Sequence, residues 1–257
     1  MVKITFMGAG STVFARNVLG DCMCTPALRD AEIALYDIDA KRLEESEIIL
    51  KAINHNVNED RASIATYLGV ENRKAALKDA DFVVNAIQVG GYEPCTVTDF
   101  EIPRGLRTIP VMEEFARDME EVCPNTLFLN YTNPMAILTG YMQRYTKIKT
   151  VGLCHSVQVC TEGLLKGLGM EDRLEGATDF IAGINHMAWL LDVRDRDGKD
   201  LYPEIRERAL KKNAEEKHND MIRYEYIRNL GYYCTESSEH NSEYNPFYIK
   251  NRYPELI

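Results

Sequence analysis

The stretch "ITFMGAGSTVF", residues Ile4 to Phe14, decides how the chain is read. A short apolar run ends in two glycines and passes straight into helix-compatible residues. That is the signature of a buried strand, a tight turn and a helix. Gly8, Ala9, Gly10 and Ser11 occupy the turn. Glycines there let the backbone approach a pyrophosphate, and the helix N-terminus that follows favours negative charge. The third position of the dinucleotide-binding fingerprint holds Val13 where glycine or alanine is usual. Taken alone, the motif also fits a corner that needs glycine only for its geometry.

Two further stretches extend the reading. "EIALYDIDAKR" (Glu32 to Arg42) ends a strand with Asp37, where a carboxylate would accept hydrogen bonds from the ribose hydroxyls of NAD and repel the extra phosphate of NADP. The bland role for Asp37 is a helix cap, but Asp39 is better placed for that, since Ala40 onward reads as helical. "DFVVNAIQVGGYE" (Asp81 to Glu93) brings Asn85, Gly90 and Gly91 to another strand end. Together these make nucleotide binding the expected role of the N-terminal half.

Buried strands are expected at Val2–Met7, Glu32–Tyr36, Phe82–Ile87, Thr126–Asn130 and Thr150–Leu153. Amphipathic helices are expected at Lys41–Asn56, Val111–Val122, Met135–Arg144 and Val157–Leu168. The alternation predicts a Rossmann-like, doubly wound parallel sheet of the lactate/malate dehydrogenase kind. Beyond Phe180 the pattern changes to strands joined by a turn at Asp197-Gly198, then a charged helix from about Pro203 to Leu230. The expected division is a nucleotide-binding domain over 1–171 and an α+β region over 172–257, incomplete at its C-terminus.

Bulk properties exclude several classes. The chain has 257 residues, enough to bury a full core, and a formal net charge of −10. That balance argues against nucleic-acid or anionic-membrane partners, which need surplus Lys and Arg. Seven scattered cysteines do not resemble a disulfide framework. No signal peptide or membrane span is apparent. A cytoplasmic, reduced, soluble protein is expected.

Polar clusters fall at expected strand ends: "NYTNP" (Asn130 to Pro134), "CHS" (Cys154 to Ser156) and "GINH" (Gly183 to His186). Asn133-Pro134 reads equally as a helix cap with proline in the first position. Cys154 as thiolate and His186 as imidazole are a plausible borderline-soft pair for a divalent transition metal. Two ligands make an open site, which substrate or water completes. By itself, His186 would read as a core histidine near Trp189.

In this order, "GAGS", "YTNP", "CHSV", "INH" and the later "TESSEHNSEYNP" (Thr235 to Pro246) closely resemble the NAD- and metal-dependent glycoside hydrolases of family 4. The "CHSV" and "ESSEHNSEY" variants look most like its bacterial α-galactosidase (melibiase) branch. The likeness runs from Val2 to Ile257, and members of the family are considerably longer. The resemblance implies NAD and a manganese-like ion as cofactors, with Cys154 and His186 as metal ligands and Asn133 contacting the sugar. His155 stands where some branches carry a carboxylate that protonates the leaving group, and its reference pKa of about 6.5 suits an acid near neutrality. Glu239, His240 and Tyr244 are the local candidates for the base and for further sugar contacts. The implied chemistry is oxidation of the sugar at carbon 3, loss of the acidified carbon-2 proton, elimination, water addition and return of the hydride. It is a known exception to the two-carboxylate mechanism. A small sugar substrate and a homodimer or homotetramer are expected.

Two other readings stay open from the residues. A plain NAD-dependent hydroxy-acid dehydrogenase would need an arginine clamp, for which Arg104 and Arg107 are the nearest candidates. A nucleotide-binding module would need no chemistry at all.

Overall fold

The computed structural model describes residues 1–91, 101–184 and 186–248. The chain divides into two compact units, Met1–Leu153 and Cys154–Ile257.

The first unit is built on β1 (Lys3–Met7), every residue of which is buried. A glycine turn leads into α1 (Thr12–Cys24), followed by β2 (Glu32–Asp37) and α2 (Ala40–Asn58). Asp39 caps α2 by accepting from Lys41 N–H at 3.0 Å and Arg42 N–H at 3.1 Å, as the sequence predicts. The unit continues through β3 (Ser63–Leu68), the short α3 (Arg73–Leu77), β4 (Phe82–Asn85) and α4 (Glu101–Val122). It closes with β5 (Leu127–Asn130), α5 (Met135–Tyr145) and β6 (Lys149–Gly152). The strands form one six-stranded sheet in the order β3-β2-β1-β4-β5-β6, with every pairing parallel. This is the expected doubly wound, Rossmann-like architecture.

Apolar side chains cover both faces of the sheet. Phe6 and Leu35 pack with Ala15, Leu19 and Leu50 from α1 and α2. Met7, Val83 and Phe128 pack with Met112, Phe115, Met119 and Leu138 from α4 and α5.

Two elements depart from expectation. β3 was not anticipated, because as an edge strand it has no buried apolar run; its pattern is mostly exposed. Helix α4 starts well before Val111, even though Pro110 lies inside it. An interior proline costs about 3 kcal/mol. Burial of Met112, Phe115 and Met119, each worth about 1.5–3 kcal/mol, outweighs that.

The second unit opens with α6 (His155–Gln158) and α7 (Cys160–Gly167), where one helix was expected. A hairpin of β7 (Thr178–Ile184) and β8 (Met187–Arg194) follows, antiparallel and joined ahead of the expected turn at Asp197-Gly198, which lies beyond β8, where Gly198 N–H donates to Asp195 O at 2.9 Å. The charged segment after it forms two helices, α8 (Tyr202–Glu215) and α9 (Met221–Leu230). The two-residue β9 (Tyr233–Cys234) completes a three-stranded sheet, and α10 (Ser238–Glu243) comes last. The division between units falls at Leu153–Cys154, earlier than the anticipated 171–172 boundary. The reason is packing: Cys160, Leu164 and Leu165 of α7 join Leu190, Val193, Ile205 and Tyr224 in one buried cluster.

Gly8 has a φ of +84°, and a Cβ there would stand 2.8 Å from the carbonyl carbon and oxygen of Ala86. Gly163 in α7 has nothing within 4 Å of its would-be Cβ. Gly8→Ala should therefore lower the thermal midpoint by several degrees, through strain of about 1–3 kcal/mol. Gly163→Ala should hold or raise it, by removing unfolded-chain entropy. Circular dichroism melts of the two variants check the contrast.

Candidate active site

In the first unit the candidate residues lie at the carboxyl ends of the parallel strands. Gly8 and Ala9 N–H both donate to Tyr36 O at 3.0 Å, which folds the glycine turn against the end of β2. Gly10 N–H donates to Asp37 Oδ2 at 2.6 Å. The other oxygen, Oδ1, accepts from Ile38 N–H at 2.8 Å and Asp39 N–H at 2.9 Å. Asp37 therefore lies against the glycine turn and orders the backbone there. A Cβ on Gly10 would meet Asp37 Oδ2 at 2.8 Å, so only glycine admits this approach. Ser11 stands at the N-terminus of α1 and makes no side-chain cap. A helix start with no side-chain cap, a bare glycine backbone and an adjacent carboxylate are the parts a dinucleotide needs, and they fit NAD.

Asn85 is wholly buried at the end of β4. Its Nδ2 donates to Asn130 Oδ1 and to Thr132 Oγ, both at 3.0 Å. Thr132 Oγ in turn donates to Ile87 O at 3.1 Å. The cluster ties the loops after β4 and β5 together, and Asn85 supports those loops from below. Gly90 follows in the first loop with φ +91°, and Arg107 Nε donates to Val89 O at 3.1 Å beside it. Thus Arg107 braces a backbone turn. Asn133 Oδ1 accepts from Met135 N–H at 3.3 Å, so it caps α5, with Pro134 at the N-cap rather than the first helical position.

The second unit gathers the rest around one imidazole. His186 lies in the β7–β8 turn with φ +64°, a left-handed conformation that costs a non-glycine residue about 1–3 kcal/mol. Its Nε2 is 3.2 Å from Glu236 Oε2, and its Nδ1 is 3.2 Å from Tyr244 Oη. Cys154 hydrogen-bonds the same ring. The sulfur is also 2.9 Å from Ser156 Oγ. Burial pushes the Cys154 thiol up, but hydrogen bonds from His186 and Ser156 outweigh it and hold the thiol below its ordinary range. His240 places its ring centroid 6.1 Å from that of His186.

Cys154, His186, Tyr244 and His240 are thus brought together. His155 is exposed at the start of α6. Glu239 is exposed too, and lines a groove with Lys217, His218 and Ser242. The carboxylate that meets His186 is Glu236, which the sequence reading passed over. The signal was the N-cap: Ser237 Oγ accepts from His240 N–H at 3.3 Å, which starts α10 and leaves Glu236 in the loop before it. Among the described residues no group of three or more His, Cys, Asp or Glu side chains is placed to hold a metal ion. A thiol of lowered pKa beside an imidazole fits an open site for a borderline-soft divalent ion.

The profile described as family 4 glycosyl hydrolase matches residues 3–105 and 101–170, and that of the family's C-terminal domain matches 181–257. The chain is 58% identical to an alpha-galactosidase of Bacillus subtilis (strain 168), covering 100% of this chain and 62% of that one. It is 34% identical to an alpha-galactosidase of Rhizobium meliloti (strain 1021), covering 96% of this chain and 53% of that one. The chain therefore spans little more than half to three-fifths of the length of these relatives. The fold is similar to a crystal structure of a 6-phospho-alpha-glucosidase from gut microorganisms in complex with NAD and Mn2+. There the TM-score is 0.76 at 20% identity, covering 95% of this chain and 61% of that one.

The lowered Cys154 thiol has a chemical readout. Iodoacetamide at neutral pH should alkylate Cys154 faster than the buried Cys123 and Cys160, whose thiols burial pushes up to about 11 and about 12. His186→Ala removes a hydrogen bond that favours the thiolate, so the Cys154 rate should fall. Peptide mass spectrometry over a time course measures both.

Proposed function

Because the chain belongs to the family 4 glycosyl hydrolases, we propose that it hydrolyses α-galactosides with NAD and a divalent ion of the manganese type. The contact between the Cys154 thiol and the His186 imidazole carries this reading. A soft and a borderline ligand, drawn to one point and short of a closed cage, suit an ion that shares its remaining positions with substrate. The substrate class rests on the 58% identity to the Bacillus subtilis alpha-galactosidase.

When bound, NAD would take up and return a hydride at the sugar, and the ion would polarise the sugar oxygens beside it. The rest falls to the chain's own residues. The Gly8–Ser11 backbone and the start of α1 receive the pyrophosphate, and Asp37 receives the ribose. Cys154 and His186 hold the ion. Asn133 contacts the sugar while its side chain keeps α5 started. Tyr244, whose hydroxyl stands on His186, is the best-placed proton acceptor; His240 lies within reach of the same ring. Exposed His155 is the proton donor to the leaving group. Exposed Glu239, which lines the groove with Lys217 and His218, is a more distant candidate for the base.

We further infer a cytoplasmic homodimer or homotetramer. The six described cysteines are all free, which suits a reducing compartment. Among the described residues no helix is long and apolar enough to cross a membrane.

Hydrolysis of p-nitrophenyl α-galactoside should require NAD, Mn2+ and a thiol reductant together, with no net NADH. In heavy water the released sugar should carry deuterium at carbon 2, because a protein base that exchanges with solvent removes that proton. A two-carboxylate glycosidase never breaks that bond. Turnover with an unlabelled carbon 2, by proton NMR, would refute the mechanism. Accumulating NADH with no released nitrophenol would identify a dehydrogenase instead.

A further inference from the structure

One position on the buried face of α2 breaks its apolar pattern beside the glycine turn. Leu43 and Leu50 pack into the sheet cluster, and between them Ser46 buries a hydroxyl at 1% exposure. A hydroxyl taken from water costs free energy unless it is hydrogen-bonded. This one reaches out of its own helix: Ser46 Oγ–H donates to Ala9 O at 2.6 Å. Thr12 Oγ, at the first residue of α1, stands 3.3 Å from Ser46 Oγ and 3.4 Å from Gly10 O. Two other polar residues on the same face are tied elsewhere. Asn54 Nδ2 donates to Ala62 O at 2.8 Å, and Asn58 Nδ2 to Arg29 O at 2.7 Å.

The acceptor belongs to the peptide unit between Ala9 and Gly10. A peptide is planar, with its C=O and N–H pointing in opposite directions, so fixing one end fixes the other. The far end is Gly10 N–H, which Asp37 Oδ2 accepts at 2.6 Å. Side chains from two elements thus hold one plane, α2 at its oxygen and the end of β2 at its nitrogen. The reversed plane would aim Ala9 O at the Asp37 carboxylate, two acceptors face to face. Ala9 and Ser46 are both buried, so water does not replace this donor when it is removed.

We propose that Ser46 is a positioning residue for the dinucleotide, acting through the Ala9–Gly10 peptide. It keeps that carbonyl turned toward α2 and away from the anion, and it keeps Asp37 seated at the turn for the ribose. Each carboxylate oxygen accepts more than one hydrogen bond. Asp37 Oδ2 therefore retains capacity for a ribose hydroxyl while Gly10 N–H fixes its place. The role rests on the assignment of the glycine turn and Asp37 to NAD made under Proposed function. Order set before binding lowers the entropy lost when the cofactor arrives.

The test titrates NAD and ADP into wild type, Ser46→Ala, Ser46→Thr and Asn54→Ala by isothermal calorimetry, at a temperature where circular dichroism shows all four folded. Asn54→Ala is the control for lost stability, since it removes a buried hydrogen bond from the same helix face at a distance from the turn. Ser46→Ala should weaken both ligands about 5–30-fold, while Ser46→Thr, which keeps the hydroxyl, and Asn54→Ala should stay within about threefold. A second readout is the Gly10 amide in ligand-free protein labelled with 15N-glycine. Its proton, moved downfield by the short bond to a carboxylate, is assigned by its displacement in Asp37→Asn. It should move in Ser46→Ala and hold in Asn54→Ala. Full NAD affinity in Ser46→Ala, or a Gly10 amide that stays in place there, overturns the proposal. Losses in Ser46→Thr or Asn54→Ala equal to that of Ser46→Ala overturn it in favour of a purely structural hydroxyl. If wild type binds neither NAD nor ADP, the cofactor reading falls and the proposal falls with it; a wild type that binds NAD beside an unaffected Ser46→Ala removes the proposal alone.

Discussion

The parallel register of the six-stranded sheet is the constraint on which the first unit depends. Met7 pairs with Tyr36 on one side and with Asn85 on the other, Asn85 pairs with Asn130, and Asn130 pairs with Gly152. Strand ends that share one level must release their loops on one edge. Gly8 follows β1 directly, Asp37 ends β2, and Gly90 and Asn133 lie in the loops after β4 and β5, so the register places them along a common border with no contact designed between them. The price is burial on both faces, which explains why β1 has no exposed residue, Lys3 and Thr5 included.

That constraint also explains what could be read from the residues. Strands buried on both faces leave apolar runs, and β1, β2 and β4 were legible from them. β3 pairs only with β2 and lies at the edge, so "SIATYL" carries no such run. The opening of α4 was hidden by Pro103, Gly105 and Pro110, three residues that usually end helices. The helix persists because its later turns bury Met112, Phe115 and Met119. Local chemistry argued one way and the core argued the other, and here the core is energetically larger.

The candidate site was legible in its residue types and only partly in its contacts. Cys154 and His186 stood out as a rare pair of ligand types. Glu236 did not, because nothing in "TESSEHNSEY" ranks one carboxylate above another. What separates Glu236 from Glu239 is the start of α10 at Ser238, which leaves Glu236 in the loop before the helix and Glu239 exposed on it, lining the groove that Lys217 and His218 also line. Asn85 shows a related ambiguity: a polar residue at a strand end reads as a ligand contact, and its side-chain amide also donates within a buried hydrogen-bonded cluster. Sequence identifies the type of group at a strand end; packing decides which way it faces.

Structural and functional readings of these residues turn out not to exclude each other. Asp37 takes three backbone N–H groups, Asn133 takes one, and Glu236 takes one. Each acceptor orders its own loop first and presents a remaining polar atom, or a backbone shaped by it, to the site. Pre-ordering of this kind lowers the entropy lost on binding, which is why a cap and a ligand contact can coincide in one side chain. It also governs how substitutions are interpreted. Replacement by alanine removes loop order and site chemistry together, and its effect belongs to neither alone. Replacement by the matching amide keeps most accepted hydrogen bonds and removes the charge, so the difference between the two variants isolates what the charge contributes at that position.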